Sequence, residues 1–188
     1  MYEVEVKVPA GRDRIRSRLE TLETTPLGTV VQVDTYYDAP HRTFAETDEA
    51  LRIRSERRPE VGAETRLTYK GPLVDDESKT REEIETTIAD DDRIDAILRN
   101  LGFEPAATVR KERERFTLED GEYTVTVDDV DGVGEYVEVE TEVEAKAALE
   151  SARNGVYEIL ERLELDPDDQ IRTSYLGLLL EAEGDSSR

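Results

Sequence analysis

Charged residues alternate with valines in the first strand-like segment of the chain, Tyr2–Val8. Glu3, Glu5 and Lys7 occupy every second position, and valines fill the positions between and after them. Because successive side chains of a β-strand point to opposite faces, the three charges share one face and the valines share the other. Alone, this pattern is typical of a half-buried edge strand with its polar face in water. Carboxylates beside an ammonium group also have the chemistry to bind metal ions and phosphates.

The same alternation recurs in later segments, where side chains of both charge signs lie on one strand face and apolar side chains, such as those of Leu51 and Ile53, lie on the other. The acidic side chains on the charged faces are Glu3, Glu5, Asp128, Glu138 and Glu140. The basic side chains are Lys7, Arg52, Arg54, Lys70, Lys111 and Arg113. Clustered Arg and Lys bind polyphosphate oxygens, and several nearby carboxylates hold Mg²⁺ or Mn²⁺. The two sets predict a metal and polyphosphate site if the fold brings these strands together.

The elements that position these residues are about eight strands and about four helices, joined mostly by short connections. Short connections favour antiparallel pairing, and strands interspersed with helices favour an α+β fold. Two architectures satisfy the pattern. In one, the sheet is open, with helices on one side and the charged side in water. In the other, which the chemistry favours, the sheet closes into an antiparallel β-barrel with a charged lumen and amphipathic helices outside.

The pattern predicts one domain, residues 1–183, followed by a disordered tail, residues 184–188. The predicted strands are Tyr2–Val8, Thr29–Asp38, Glu49–Arg57, Glu64–Lys70, Arg81–Ile88, Ala107–Glu119, Glu122–Val130 and Glu135–Val143. Predicted helices follow Gly11 and Asp90 and cover about Glu144–Leu165 and Ile171–Ala182. The predicted loops are Ala39–Thr47, Pro59–Gly62 and the mobile, acidic Leu73–Lys79. His41, the single histidine, lies in the first of them, where an incidental role is favoured over a catalytic one.

The composition is strongly acidic, with 47 Asp and Glu against 25 Lys and Arg and a net charge of -22. Such a chain repels nucleic acid and anionic membranes, and its charge suggests an organism with a salty cytoplasm. There is no cysteine, which excludes disulfides and thiolate chemistry. No apolar run is long enough to span a bilayer, and the N-terminus does not resemble a signal peptide. We expect a soluble, cytoplasmic protein.

Several ordered motifs resemble those of the CYTH, or triphosphate tunnel metalloenzyme, superfamily. The segment Glu3–Lys7 resembles its ExExK signature. Further matching segments appear in the order that the family shows, namely Gln32–Asp38, Ala50–Arg54, Leu67–Pro72, Arg81–Glu85, Lys111–Arg113, Val127–Asp128 and Gly134–Glu140. The resemblance spans about Met1 to Tyr175 and is most similar to the class IV adenylate cyclase branch, in which archaeal members are common.

This resemblance implies a closed barrel tunnel, metal-dependent chemistry on a nucleoside or inorganic triphosphate, and a homodimer. The residues that it assigns to the triphosphate are Lys7, Arg52, Arg54, Lys70, Arg81, Lys111 and Arg113. Those that it assigns to Mg²⁺ or Mn²⁺ are Glu3, Glu5, Asp128, Glu138 and Glu140. Glu5, Lys7, Lys111 and Arg113 form the implied catalytic set. Arg81, Glu83 and Glu85 lie in family motifs with looser assignments.

The implied reaction is that of an adenylate cyclase, which converts ATP to cyclic AMP and pyrophosphate. An inorganic or thiamine triphosphatase is the alternative, because the two kinds of enzyme share nearly all of these residues. A non-catalytic module that binds polyphosphate or nucleotide is a further alternative. The presence of both basic and acidic sets favours an enzyme.

Overall fold

The computed structural model describes residues 1–59, 62–74 and 77–186. Its strands are β1 (Tyr2–Pro9), β2 (Thr25–Asp38), β3 (Ala50–Arg58), β4 (Gly62–Leu73), β5 (Lys79–Ile88), β6 (Glu104–Leu118), β7 (Tyr123–Val130) and β8 (Gly134–Val143). They close into a barrel in the order β1-β5-β4-β3-β2-β6-β7-β8, and neighbouring strands are antiparallel. The predicted closed barrel is confirmed, and the open sheet is excluded.

The helices pack mainly on the outside of the barrel, and the last of them also contacts inward-facing residues such as Val130 and Tyr136. They are α1 (Arg12–Leu19), α2 (Phe44–Thr47), α3 (Asp91–Asn100), α4 (Leu149–Arg162) and α5 (Tyr175–Ser186). The valines of β1 are fully buried against α1 and α4, together with the apolar faces of β7 and β8. Burying these faces outside leaves the charged faces of the same strands inside. Within the described ranges, no helix has the length and apolar character needed to cross a membrane.

Strand register places opposite charges next to each other on the inner wall. Lys7 on β1 is directly across from Glu138 on β8, and Arg113 on β6 is across from Asp128 on β7. On the other side of the barrel, Lys70 on β4 faces Glu83 on β5. Neighbours of opposite charge stabilise a strand pair, whereas like charges would destabilise it. The register therefore decides which charges compensate one another inside the barrel.

Two local contacts help to position helices α3 and α4. Asp90 caps α3, because its side chain accepts a hydrogen bond from Arg93 N at 3.0 Å. Gly155 allows α4 to pack closely against β7, since a Cβ at this position would lie 2.0 Å from the hydroxyl of Tyr123.

Other boundaries differ from the prediction. β2 and β6 begin earlier, and α2 lies in the segment predicted as the loop 39–47. β4 does not stop at Gly71 but continues to Leu73, because a shift in its register with β5 accommodates Gly71-Pro72. The predicted helix 144–165 is a 3₁₀ turn at Lys146–Ala148 followed by the shorter α4. Residues 60, 61, 75 and 76, in the predicted turn and mobile loop, lie outside the described residues.

The last helix begins at Tyr175 rather than at Ile171. The backbone of Ile171 donates to Lys7 O at 2.7 Å, which keeps the segment extended beside β1. Ser174 Oγ then accepts from Gly177 N at 3.0 Å, as the residue before a helix commonly does. The helix continues to Ser186, through part of the predicted tail, and residues 187 and 188 lie outside the described residues.

Candidate active site in the barrel lumen

The barrel encloses a cavity of about 550 Å³. The assigned residues that line it are Glu3, Glu5, Arg52, Arg54, Lys70, Arg81, Glu83, Glu85, Lys111, Arg113, Glu138 and Glu140. Lys7 and Asp128 lie behind this lining, with 1% and 0% of their surface exposed. His41 is exposed and does not line the cavity. The strand pattern thus brings both predicted charge sets to one site.

Asp34 on β2 orients two of the arginines. Arg54 donates to both of its oxygens at 2.7 Å, and Arg52 donates to one of them at 3.3 Å. Burial by itself raises the pKa of the Asp34 carboxyl, but the two guanidinium groups outweigh it and hold the pKa far below its usual range. Both arginines are therefore held in fixed directions as cations.

Asp128 on β7 has the same relation to Arg113. Arg113 Nε and Nη2 donate to its two oxygens at 2.7 and 2.5 Å, and Lys111 Nζ donates at 3.3 Å. Burial works to raise the pKa of Asp128, yet Arg113 and Lys111 keep it below the ordinary value. Because both oxygens of Asp128 already accept hydrogen bonds, the carboxylate serves here to orient Arg113.

Lys70 and Lys79 are paired with carboxylates of neighbouring strands. Lys70 Nζ lies 2.8 Å from Glu3 and 2.6 Å from Glu83, and these charges raise the pKa of Lys70 although burial lowers it. Lys79 Nζ lies 2.7 Å from Glu5. Glu3 is therefore engaged with a lysine in this structure.

Glu5, Glu138 and Glu140 form a crowded carboxylate group. One oxygen from each lies within 4.8 Å of the others. Burial, and then the charge of Glu3, raise the pKa of Glu140 to about 8. In the described part of the chain, Glu140 has no cation within ion-pair distance, while Arg113 contacts Glu138. Carboxylate oxygens suit a hard divalent ion, and its charge would relieve this repulsion, so the group fits Mg²⁺ or Mn²⁺.

Lys7 and Lys111 are buried cations near this group. Burial, followed by the charge of Lys79, lowers the pKa of Lys7 to about 8. Burial, followed by Arg113, lowers the pKa of Lys111 to about 8. Both ammonium groups face the ring of Tyr175, the first residue of α5. Buried lysines with lowered pKa values are common at functional sites.

Arg81 is held differently from the other assigned cations. Its Nη1 donates to the carbonyls of Asp48 and Gly71 at 3.0 and 3.1 Å, and its Nη2 donates to the Asp48 carboxylate at 3.3 Å. These bonds connect β5 to the end of β4 and to the residue after α2. The geometry supports a part in shaping the cavity wall more directly than a phosphate contact.

Five further residues belong to this site although the sequence patterns predict no role for them, namely Asp34, Glu56, Lys79, Arg115 and Tyr175. Glu56 accepts from Gln32 at 2.7 Å and also pairs with Arg115. Glu56, Lys79 and Arg115 each lie two positions from an assigned residue of the same strand, so extending the alternation identifies them. Strand alternation cannot identify Tyr175, because this residue belongs to a helix that reaches the lumen only in the folded chain.

The CYTH domain family matches residues 1–175. The chain belongs to this family. This CYTH protein is 38% identical over 179 residues to a Methanocaldococcus jannaschii protein named as a candidate adenylate cyclase, covering 95% of the chain and 98% of the relative. It is 28% identical over 142 residues to the adenylate cyclase CyaB of Aeromonas hydrophila, covering 76% of the chain and 69% of the relative.

Solved structures show the same fold. A Pyrococcus horikoshii protein is 41% identical, with a TM-score of 0.87 over 95% of this chain and 98% of its own. A Hippeastrum protein, described as a candidate adenylyl cyclase with a dominant triphosphatase activity, is 15% identical, with a TM-score of 0.63 over 96% of this chain and 95% of its own. At that identity the second likeness concerns the fold alone.

Proposed function

We propose that this CYTH protein is a metal-dependent enzyme that binds a triphosphate in the barrel lumen and converts ATP to cyclic AMP and pyrophosphate. The observation that carries the proposal is that one cavity holds both oriented cations and a crowded carboxylate group. Binding alone needs only the cations, whereas chemistry at phosphorus also uses carboxylates that hold a metal ion. The combination favours an enzyme over a non-catalytic binding module.

The cations hold the triphosphate by its oxygens. Arg52, Arg54 and Arg113 present guanidinium groups that lumen aspartates already orient, and a guanidinium binds two phosphate oxygens side by side. Lys70 and Lys111 act as point charges beside them. In the cyclase reaction these residues hold the β- and γ-phosphates, which leave as pyrophosphate when the ribose 3′-hydroxyl attacks the α-phosphorus.

Glu5, Glu138 and Glu140 are the residues that would hold Mg²⁺ or Mn²⁺. A divalent ion held by these carboxylates would neutralise phosphate charge and lower the pKa of the attacking hydroxyl. Lys79 and Arg113 contact Glu5 and Glu138 and so orient two of the three carboxylates. Glu3 and Asp128 lie outside this group of three carboxylates and stay predictions as metal ligands.

A triphosphatase reaction is the second candidate. It uses the same cations but places a water molecule opposite the γ-phosphate, so the position of the substrate along the lumen decides the product. The Hippeastrum protein, described as having a dominant triphosphatase activity, indicates that this barrel fold can carry such a reaction. The names of the two curated relatives favour the cyclase.

Product analysis separates the two reactions. The protein is incubated in high salt with ATP, thiamine triphosphate or inorganic triphosphate, each with Mg²⁺ or Mn²⁺. Cyclic AMP with pyrophosphate supports the cyclase. Orthophosphate from inorganic or thiamine triphosphate, without cyclic AMP from ATP, overturns it in favour of the triphosphatase. Binding without turnover of any substrate supports the module. Light scattering tests the homodimer that the resemblance implies.

Carboxylate variants test the metal assignment. We expect Glu138→Gln and Glu5→Gln to lower activity by about 100-fold at limiting metal and to weaken Mn²⁺ binding in calorimetry, because each loses one charged ligand oxygen. Glu142→Gln is the matched control, since it makes the same change on the same strand as Glu138, at an exposed position of the cavity lining outside the carboxylate group. Full activity of both variants at limiting metal would show that the ligand assignment is wrong.

A further inference from the structure

Lys7 and Lys111 differ from three of the other lumen cations, Arg54, Lys70 and Arg113, in how close the nearest carboxylate lies. Arg54, Lys70 and Arg113 each lie within 2.8 Å of a carboxylate oxygen. Across the described ranges, Lys7 has no carboxylate at ion-pair distance, and the one partner of Lys111 lies at 3.3 Å. Buried cations without short ion pairs need another source of stabilisation.

The ring of Tyr175 supplies that stabilisation. Lys7 Nζ lies 4.2 Å from the ring centroid and Lys111 Nζ lies 4.8 Å from it, both within cation–π range. The Thr173 carbonyl of the same segment accepts a hydrogen bond from Lys7 Nζ. The ring of Tyr136 packs against the Tyr175 ring at 5.4 Å, in an edge arrangement that fixes its plane.

We propose that Tyr175 is a positioning residue of the triphosphate site, whose ring holds Lys7 out of ion pairs with neighbouring carboxylates, adds to the single longer contact of Lys111 with Asp128, and keeps both ammonium groups available to phosphate. The carboxylates that would otherwise pair with Lys7 are Glu5 and Glu138, whose charges already act on it. A lysine paired there would attract phosphate less and would occupy a metal-binding oxygen. The inference rests on the proposed function, because it assumes that the lumen binds a triphosphate.

The segment that carries Tyr175 is anchored on both sides of the ring. Ile171 N donates to Lys7 O before it, and Ser174 Oγ accepts from Gly177 N after it. Tyr175 is 7% exposed and lines the cavity, with Lys7 behind it. A ring that merely covered Lys7 would compete with phosphate. Removing the ring should therefore weaken phosphate binding if the ring positions the lysines, and strengthen it if the ring only covers Lys7.

The test is calorimetric titration of inorganic tripolyphosphate into the full chain without metal. Tyr175→Leu removes the ring, and we expect about tenfold weaker binding from the loss of two cation–π contacts. Tyr175→Phe keeps the ring. The hydroxyl that it removes lies near Asp128 but has no partner of normal hydrogen-bond geometry in the described residues. We therefore expect Tyr175→Phe to bind within about threefold of the unmodified protein.

Tyr136→Leu is the matched control for lost packing. It removes the other ring of the same pair, which does not line the cavity and lies 5.9 Å from Lys7 Nζ. We expect it to lower Tm about as much as Tyr175→Leu does, with less than about threefold change in affinity, because that distance is at the limit of the interaction. Equal losses of affinity in the two variants would overturn the inference.

Lys7→Met and Lys111→Met, combined, test whether the ring acts through the lysines. In that background we expect Tyr175→Leu to change affinity by less than about threefold, because the coupling partners are gone. A tenfold loss in both backgrounds, or tighter binding by Tyr175→Leu alone, overturns the inference. The proposed function can fail separately. If the unmodified protein binds tripolyphosphate but converts no triphosphate, the proposed enzymatic activity is wrong, and the affinities of the variants relative to the unmodified protein still test the role of Tyr175. Protein that binds none overturns both.

Discussion

Two sets of buried carboxylates in the same lumen are compensated in different ways. On the β2 and β7 walls, Asp34 and Asp128 each accept two short hydrogen bonds from one arginine. On the β8 wall, Glu140 lies close to two other carboxylates and has no cation at ion-pair distance in the part of the chain that the structure describes. The first arrangement compensates the carboxylate charge within the protein, whereas the second leaves negative charge for a ligand to neutralise.

The pKa values of these carboxyls move in opposite directions for an identifiable reason. Burial works to raise the pKa of all three. Arginines reverse its effect at Asp34 and Asp128, whereas the charge of Glu3 adds to it at Glu140. Burial alone therefore does not distinguish a structural carboxylate from a metal-binding one. The local balance of charge does, and variants of each kind test the distinction.

Asp128→Asn has the largest expected effect on stability. It leaves Arg113 and Lys111 buried with a neutral partner, and removing one member of a buried ion pair costs about 3–5 kcal/mol. Denaturant unfolding at pH 7 measures the loss. A free energy of unfolding within about 1 kcal/mol of the unmodified protein would show that Asp128 is no more structural than Glu140.

Glu140→Gln is expected to raise the free energy of unfolding of the metal-free protein, whereas Asp128→Asn lowers it. The pKa of Glu140 in the fold, about 8, lies above its ordinary value of 4.5, so its contribution to stability is complete below pH 4.5 and is lost as the pH rises through 8. Because glutamine cannot ionise, we expect the variant at pH 8.5 to be more stable by on the order of 1 kcal/mol or more.

Unfolding curves at pH 5 and 8.5 in the presence of a chelator check this sign. The difference between the two proteins should be smaller at pH 5, where most of the Glu140 carboxyl is protonated in the fold. A variant that is less stable at pH 8.5 than the unmodified protein would contradict the assignment of uncompensated charge to Glu140.

Asp131→Asn has the smallest expected effect and is the control for Asp128→Asn. Asp131 pairs with Arg110 at 3.1 Å, but both side chains are at least half exposed. Exposed ion pairs contribute about 0–1 kcal/mol, so the unfolding free energy should change by no more than that. A loss as large as that of Asp128→Asn would show that burial does not account for the difference between the two aspartates.

Much of the site follows from strand periodicity alone. Alternation places Glu3, Glu5 and Lys7 on one face of β1, and the valines of the opposite face need the cover that α1 and α4 provide. The same period assigns Arg52 and Arg54 to the inner wall, as the structure confirms. Strand boundaries were less predictable, because Gly71-Pro72 continues a strand through a shift in register rather than ending it.

Strand alternation is enough to assign most of the strand side chains that line the lumen, because the two-residue period of a strand is a local property. Which of these charges are compensated depends on how the strands pair and on how the helices pack against them. Asp128 meets Arg113 through the register of the consecutive strands β6 and β7, whereas Glu140 meets Glu5 through the pairing of β8 with β1, strands far apart in the chain. Tyr175 reaches Lys7 across 168 positions of sequence because α5 packs on the barrel. No local pattern encodes such a contact, since it depends on how the whole chain closes.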